Sequence, residues 1–144
     1  MAEGIGLAAS QMSRQEALYQ SVAASFALFI AFHGILHEVI GPLLFPSLPE
    51  TFGFLLWHGM GNAVLIIGAL MFAGTLRLIR FPLVPAAIIL GTLATGVIIF
   101  IEVTHQQFHF FALTLALSSA TSAIFYRKSE TLRATTTSAP TAVN

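Results

Sequence analysis

The chain has 144 residues, 56% of them hydrophobic and 8% charged, with zero formal net charge and no cysteine. A soluble domain carries roughly 25% charged residues, so a mean hydropathy of +0.86 points to one domain solvated mainly by lipid. The balanced charge leaves no basic face for nucleic acid, and the lack of cysteine excludes disulfides, Cys-zinc sites, iron–sulfur clusters and thiol nucleophiles.

Four stretches reach the roughly 20 mostly apolar residues that a membrane span requires. The first covers about residues 19–40 and is expected to stop at the Gly41-Pro42 breaker. It is longer than a typical signal h-region, and no clear small-residue cleavage site follows it, so it reads as a retained span. The second covers about 54–74. The third, about 82–103, opens at Pro82, a residue tolerated in a first helical turn. The fourth covers about 108–126. The break between the last two has no Gly or Pro to mark it. A single helix from 82 to 126 would be about 67 Å long, roughly twice the hydrocarbon thickness, so the chain is expected to turn near 104–107. The expected fold is therefore all-α: a polytopic four-transmembrane-helix bundle over 17–128, with a polar N-terminal segment 1–16. The tail 129–144 contains the low-complexity run "RATTTSAPTAVN" and reads as disordered.

All six basic residues fall on one side of this arrangement. Arg14 precedes the first span, Arg77 and Arg80 separate the second and third, and Arg127, Lys128 and Arg133 follow the fourth. The positive-inside rule then places both ends of the chain in the cytoplasm. The loop 41–53 and the short turn "THQQ" face outward, across the cell's inner (plasma) membrane.

The five histidines take the opposite half. His33 and His37 lie late in the first span, His58 early in the second, His105 at the end of the third and His109 at the start of the fourth; Glu38 and Glu102 join them. His33 and His37 are four residues apart and share a helical face, as do His58 and Asn62, while Glu102 and His105 are three apart. Counted from the span centres, His37, His58, Glu102 and His109 lie roughly 9–14 Å outward of the midplane. Each helix thus brings a polar group to one layer. Glu38 points about 100° away from His37, toward a different neighbour or toward a histidine that it orients from behind. Small residues, among them Gly34, Gly61, Gly68, Gly91 and "SSATS" at 118–122, suit close helix packing. Gly61 and Asn62 adjoin the layer, where the amide is placed to hydrogen-bond a ligand.

Ionisable groups inside a membrane are costly and mark function. Imidazoles and carboxylates without sulfur suit a transition metal such as Fe, Zn or Cu, with His33, His37, His58, His105, His109 and Glu102 as candidate ligands. "EVTH" has the Glu-x-x-His spacing of bundle-type di-iron sites, here once rather than twice. The leading expectation is a membrane metalloenzyme, an oxidoreductase or hydrolase, with Glu38 or Glu102 as catalytic base. It would act on an apolar or lipid-like substrate arriving from the outer leaflet. Haem held between facing histidines, as in an electron-transfer protein or subunit, is one alternative. A metal-free Glu/His acid–base isomerase or a proton-coupled carrier is another. Histidines near the headgroups also serve as plain interface anchors; His105 fits that easily, whereas His33 is too deep. No ionisable group lies in the cytoplasmic half of any span, so a relay across the bilayer would stop halfway, which favours a site opening outward over a channel. So small a bundle is also a candidate homo-oligomer or subunit of a larger membrane complex.

Overall fold

The computed structural model describes residues 12–44, 52–104 and 109–138, and the side chains of these except 37, 40, 41–44, 52–57, 97–104 and 109–111. The chain is all-α. Four helices follow one another: α1 (Arg14–Leu44), α2 (Phe52–Thr75), α3 (Leu83–Thr104) and α4 (His109–Thr137). α3 ends at Thr104 and α4 begins at His109; the residues between them, where the length argument puts a turn, lie outside the described residues.

Local chemistry sets the helix ends. Ser13 caps α1: its hydroxyl accepts the Glu16 N–H at 3.0 Å and its carbonyl accepts the Ala17 N–H at 2.9 Å. At the far end α1 does not stop at Gly41-Pro42 as its sequence suggested, but runs on to Leu44. Pro42 forfeits one helical hydrogen bond, to the Glu38 carbonyl, and the helix ends two residues later; the breaker therefore shifts the end by about a turn. α3 starts at Leu83, with the Pro82 carbonyl accepting the Ala86 N–H at 3.0 Å. Pro85 then sits in the first turn, where its missing N–H has no partner to lose. α4 continues to Thr137, into the segment expected to lack order. There the hydroxyls of Thr131, Thr135, Thr136 and Thr137 bond back to carbonyls three or four residues earlier, all at 2.7–3.0 Å.

Paired contacts give the helix directions. Along α1 and α2, Gln20 meets Thr75, Gly34 meets Leu65 and Glu38 meets His58, so residue numbers rise on one helix as they fall on the other. Along α1 and α4, Tyr19 meets Phe125, Ala23 meets Ser122 and His33 meets Thr114, again antiparallel. Across α3 and α4, Gly91 faces Ser119. α1 packs along both α2 and α4, and α3 lies on α4, while α2 and α3 meet more sparsely among the described residues. The order across the molecule is α2–α1–α4–α3.

The α1–α2 seam is backbone against backbone. A methyl group at Gly34 would lie 2.6 Å from both the Gly61 carbonyl oxygen and Leu65 Cβ. One at Gly68 would lie 2.7 Å from Ala31 Cα. The buried core, Ala27, Ile30, Met71, Leu83, Ala87 and Leu90, sits toward the α2–α3 connection. Large apolar side chains elsewhere point outward from every helix: Leu28 is 53% exposed, Ile66 58%, Ile88 62% and Leu117 57%. Two segments, Arg14–Leu36 and His58–Thr75, are long and apolar enough to cross a membrane, and Leu83–Gly96 is a shorter apolar stretch.

A polar knot ties the end opposite the histidines. Arg77 adopts φ 60°, a left-handed backbone that an arginine rarely takes. Its N–H reaches the Gly74 carbonyl at 3.0 Å and the Leu78 N–H reaches Ala73 at 3.0 Å, closing α2 in a Schellman motif with arginine where glycine is usual. The guanidinium then bonds Glu16 of α1 and Glu130 of α4, each at 3.0 Å. Gln20 donates to the Thr75 carbonyl at 2.6 Å beside it.

Candidate functional site

α1 places its two described candidate side chains on different seams. His33 and Glu38 are five residues apart, about 140° around the helix. His33 is 7% exposed and turns to α4, where Nε2 lies 2.7 Å from the Thr114 hydroxyl. Its Nδ1 is 3.3 Å from the Phe29 carbonyl, and its ring stands edge-on to Phe29 with centroids 4.8 Å apart. Glu38 turns to α2, and its Oε2 accepts a short hydrogen bond from His58 Nδ1. Of the directions that the sequence left open for Glu38, the contact is with a histidine of the next helix.

The pair is partly shielded, with side-chain exposures of 24% for Glu38 and 25% for His58. A carboxylate oxygen facing Nδ1 favours the ring tautomer that places a hydrogen on that nitrogen. That is the arrangement in which a carboxylate fixes an imidazole as a metal ligand or as a proton acceptor. The second carboxylate oxygen, Glu38 Oε1, is buried and has no hydrogen-bond partner among the described residues. Buried polar atoms are rarely left so, and each such atom calls for a partner.

Asn62 lies one turn beyond His58, exposed, with its amide donating to the His58 carbonyl at 3.0 Å. It braces its own helix. Gly61 beside it is buried, and its carbonyl faces Gly34 in the seam. The side chains of His37, Glu102 and His109, and the whole of His105, lie outside the described residues. Their helix positions are set by the backbone. The register that joins His33 to Thr114 carries His37 to within a residue of His109. Among the described residues no three His, Cys, Asp or Glu side chains come close enough to hold a metal ion.

The sequence signals missed the knot at the other end. Arg77 was read only as one of the charges that orient the chain, and left-handed arginine has no sequence signature. Ser13-x-x-Glu16, by contrast, is a capping-box pattern that marks the start of α1; here the glutamate is diverted from the cap to Arg77.

The chain matches no protein-family model, no curated protein and no solved structure.

Proposed function

We propose that this is an integral membrane protein whose four helices all cross the inner (plasma) membrane, with both chain ends cytoplasmic. In the outward half, Glu38 and His58 belong to a transition-metal site completed by the neighbouring His37, Glu102 and His109 positions. The site serves a membrane metalloenzyme acting on an apolar or lipid-like molecule. The observation that carries this reading is the cross-helix Glu38–His58 pair with its buried, unpartnered carboxylate oxygen.

Two features support the membrane. The outward-pointing Leu28, Ile66, Ile88 and Leu117 surround the bundle with apolar surface beyond what a soluble monomer exposes. Polar groups also sit at two levels on α1: Glu16 and Glu38 are 22 residues apart, about 33 Å, which is close to the hydrocarbon thickness.

The donor set fits a divalent Fe, Zn or Cu ion, since it offers imidazole nitrogen and carboxylate oxygen without sulfur. Such an ion would supply a Lewis acid and an activated water. The chain's own part is to hold His58 in one tautomer through Glu38, to keep the carboxylate in a partly dry seam, and to admit an apolar molecule from the surrounding lipid. His33, committed to Thr114 and the Phe29 carbonyl, supports the α1–α4 seam. The Glu38–His58 pair is also a complete acid–base unit by itself, and this favours a metal-free Glu/His isomerase as the second reading.

Metal content and a visible spectrum of the detergent-purified protein decide between them. About one equivalent of Fe, Zn or Cu per chain is expected, lost in His58→Ala and Glu38→Gln. A colourless, metal-free, folded preparation that gains no thermal stability from added metal overturns the metal site and leaves the acid–base reading; a Soret band would replace both with haem.

A further inference from the structure

Five cations crowd the end of the molecule opposite the Glu38–His58 pair. Arg14 opens α1, Arg80 lies in the α2–α3 connection, and Arg127, Lys128 and Arg133 occupy the last turns of α4; all five are exposed. The Arg77 bridge to Glu16 and Glu130 draws these three segments together. That bridge also uses both described acids at this end, so none of the five exposed cations has an acidic partner among the described residues. Lys128 Nζ sits instead over two rings, 5.7 Å from the Tyr19 centroid and 5.6 Å from Phe125. The chain's zero net charge therefore hides a polar distribution, with an excess of positive charge at one end.

Apolar side chains are interleaved with these cations. Leu18 follows Arg14 by one turn and is 59% exposed, and Leu78 and Ile79, at 72% and 41%, directly precede Arg80. A nucleic acid or an acidic protein would match the charge but leave these aliphatic groups in water. A phospholipid matches both, with phosphate against the cations and acyl chain against the leucines; rings at the same level are the usual furniture of that interface. We propose that this end is a collar that selectively retains anionic phospholipid of the cytoplasmic leaflet, with Arg127, Lys128 and Arg133 as its main headgroup contacts. The proposal rests on the membrane reading above and is independent of the metal.

The test is to reconstitute the full chain in nanodiscs of two parts phosphatidylcholine to one part phosphatidylglycerol, extract it in mild detergent, and quantify the co-purified lipid by mass spectrometry. Phosphatidylglycerol should be enriched several-fold over the input. Each cation near an anionic surface contributes up to about fivefold, so the triple variant Arg127→Gln, Lys128→Gln, Arg133→Gln should lose most of the enrichment. Arg127→Lys with Arg133→Lys should keep it. Extraction of the unaltered protein in 1 M salt, where the Debye length falls to about 3 Å, should abolish it. Glu38→Gln should leave it unchanged. No enrichment in the unaltered protein, or enrichment that survives the triple variant, overturns the collar. A chain that fails to enter the discs and washes from membranes in alkaline carbonate overturns the membrane reading and the collar together, so the two failures are distinct.

Discussion

Gly34→Ala puts the α1–α2 seam to its hardest test. The added methyl would lie 2.6 Å from the Gly61 carbonyl oxygen and from Leu65 Cβ, against an ordinary contact of about 3.4 Å or more. The backbone partner cannot rotate away, so the two helices must part by roughly 0.8 Å along a tightly packed interface. Overpacking of this kind costs typically 1–3 kcal/mol, and a clash with backbone belongs at the upper end, about 3 kcal/mol or roughly a hundredfold in the folding equilibrium. Because Glu38 lies one turn from Gly34 and His58 lies one turn from Gly61, the same displacement loosens the Glu38–His58 hydrogen bond. Gly59→Ala is the matched comparison, since nothing lies within 4 Å of a Cβ there. It should be neutral or stabilising by up to about 1 kcal/mol, because alanine restricts the unfolded chain. The assay is unfolding by SDS titration in mixed micelles, followed by circular dichroism, with bound metal measured on the same samples. Equal midpoints for Gly34→Ala and Gly59→Ala would refute the backbone-on-backbone seam. Loss of stability with full retention of metal would detach the site from it.

Arg77→Ala should destabilise the fold by about 2–3 kcal/mol in the same titration, most of it from Glu16, which is 3% exposed and loses its described cation; the half-exposed Glu130 contributes little. Burial pulls the Arg77 guanidinium pKa down, but its hydrogen bonds and charge interactions with Glu130 and Glu16 outweigh that and leave it raised. A raised folded-state value means that the arginine's contribution is complete below its unfolded pKa and fades only at extreme alkalinity, so the arginine's own protonation should add no pH dependence to the Arg77→Ala effect between pH 7 and 9. His33→Leu should cost about 1 kcal/mol through loss of the His33–Thr114 hydrogen bond and leave bound metal unchanged; metal lost there would return His33 to the site. The cysteine-free chain also permits single-cysteine labelling with an impermeant maleimide. Ser47→Cys and Gln106→Cys should react from outside, and Arg80→Cys and Ser138→Cys only from the cytoplasm. If Gln106→Cys instead reacts with the cytoplasmic pair, only α1 and α2 cross the membrane.

The four helices, and the division of the last apolar stretch into α3 and α4, were legible because long apolar runs and bilayer-scale lengths are properties of single segments. The ends were less so. Gly41-Pro42 looks like a stop, yet one lost hydrogen bond near a helix end shifts the boundary only slightly. The threonine run after Arg133 looks disordered, yet its hydroxyls find carbonyls in their own helix. For the candidate site, the angle between His33 and Glu38 follows from helical geometry alone. The partners, Thr114 and His58, do not, because they depend on which helices adjoin and in what register. That register is set by where Gly34 and Gly68 let backbones touch, and the sequence shows many small residues without saying which pair meets. Asn62, an amide one turn from a histidine, donates to the carbonyl of that same histidine, a contact within its own helix that the spacing alone does not reveal.

The two polar ends of α1 differ in kind, and the difference follows from what each can reach. Glu16 meets a guanidinium, a permanently charged fork whose donors engage Glu16 and Glu130 together, so both described carboxylates at that end are paired within the protein. Glu38 meets an imidazole, which engages one of its oxygens and leaves the other buried without a hydrogen-bond partner among the described residues. Between these ends, residues 17–32 of α1 contain no acid, base or histidine. On α1, then, the Glu16 carboxylate has its cation, while the Glu38 carboxylate keeps one oxygen without a hydrogen-bond partner among the described residues. A designless distribution of polar groups in an apolar chain would carry the desolvation cost of Glu38 without return. The open carboxylate oxygen, held beside the tight glycine seam against the single histidine described on α2, carries a desolvation cost that a further hydrogen-bond donor would offset.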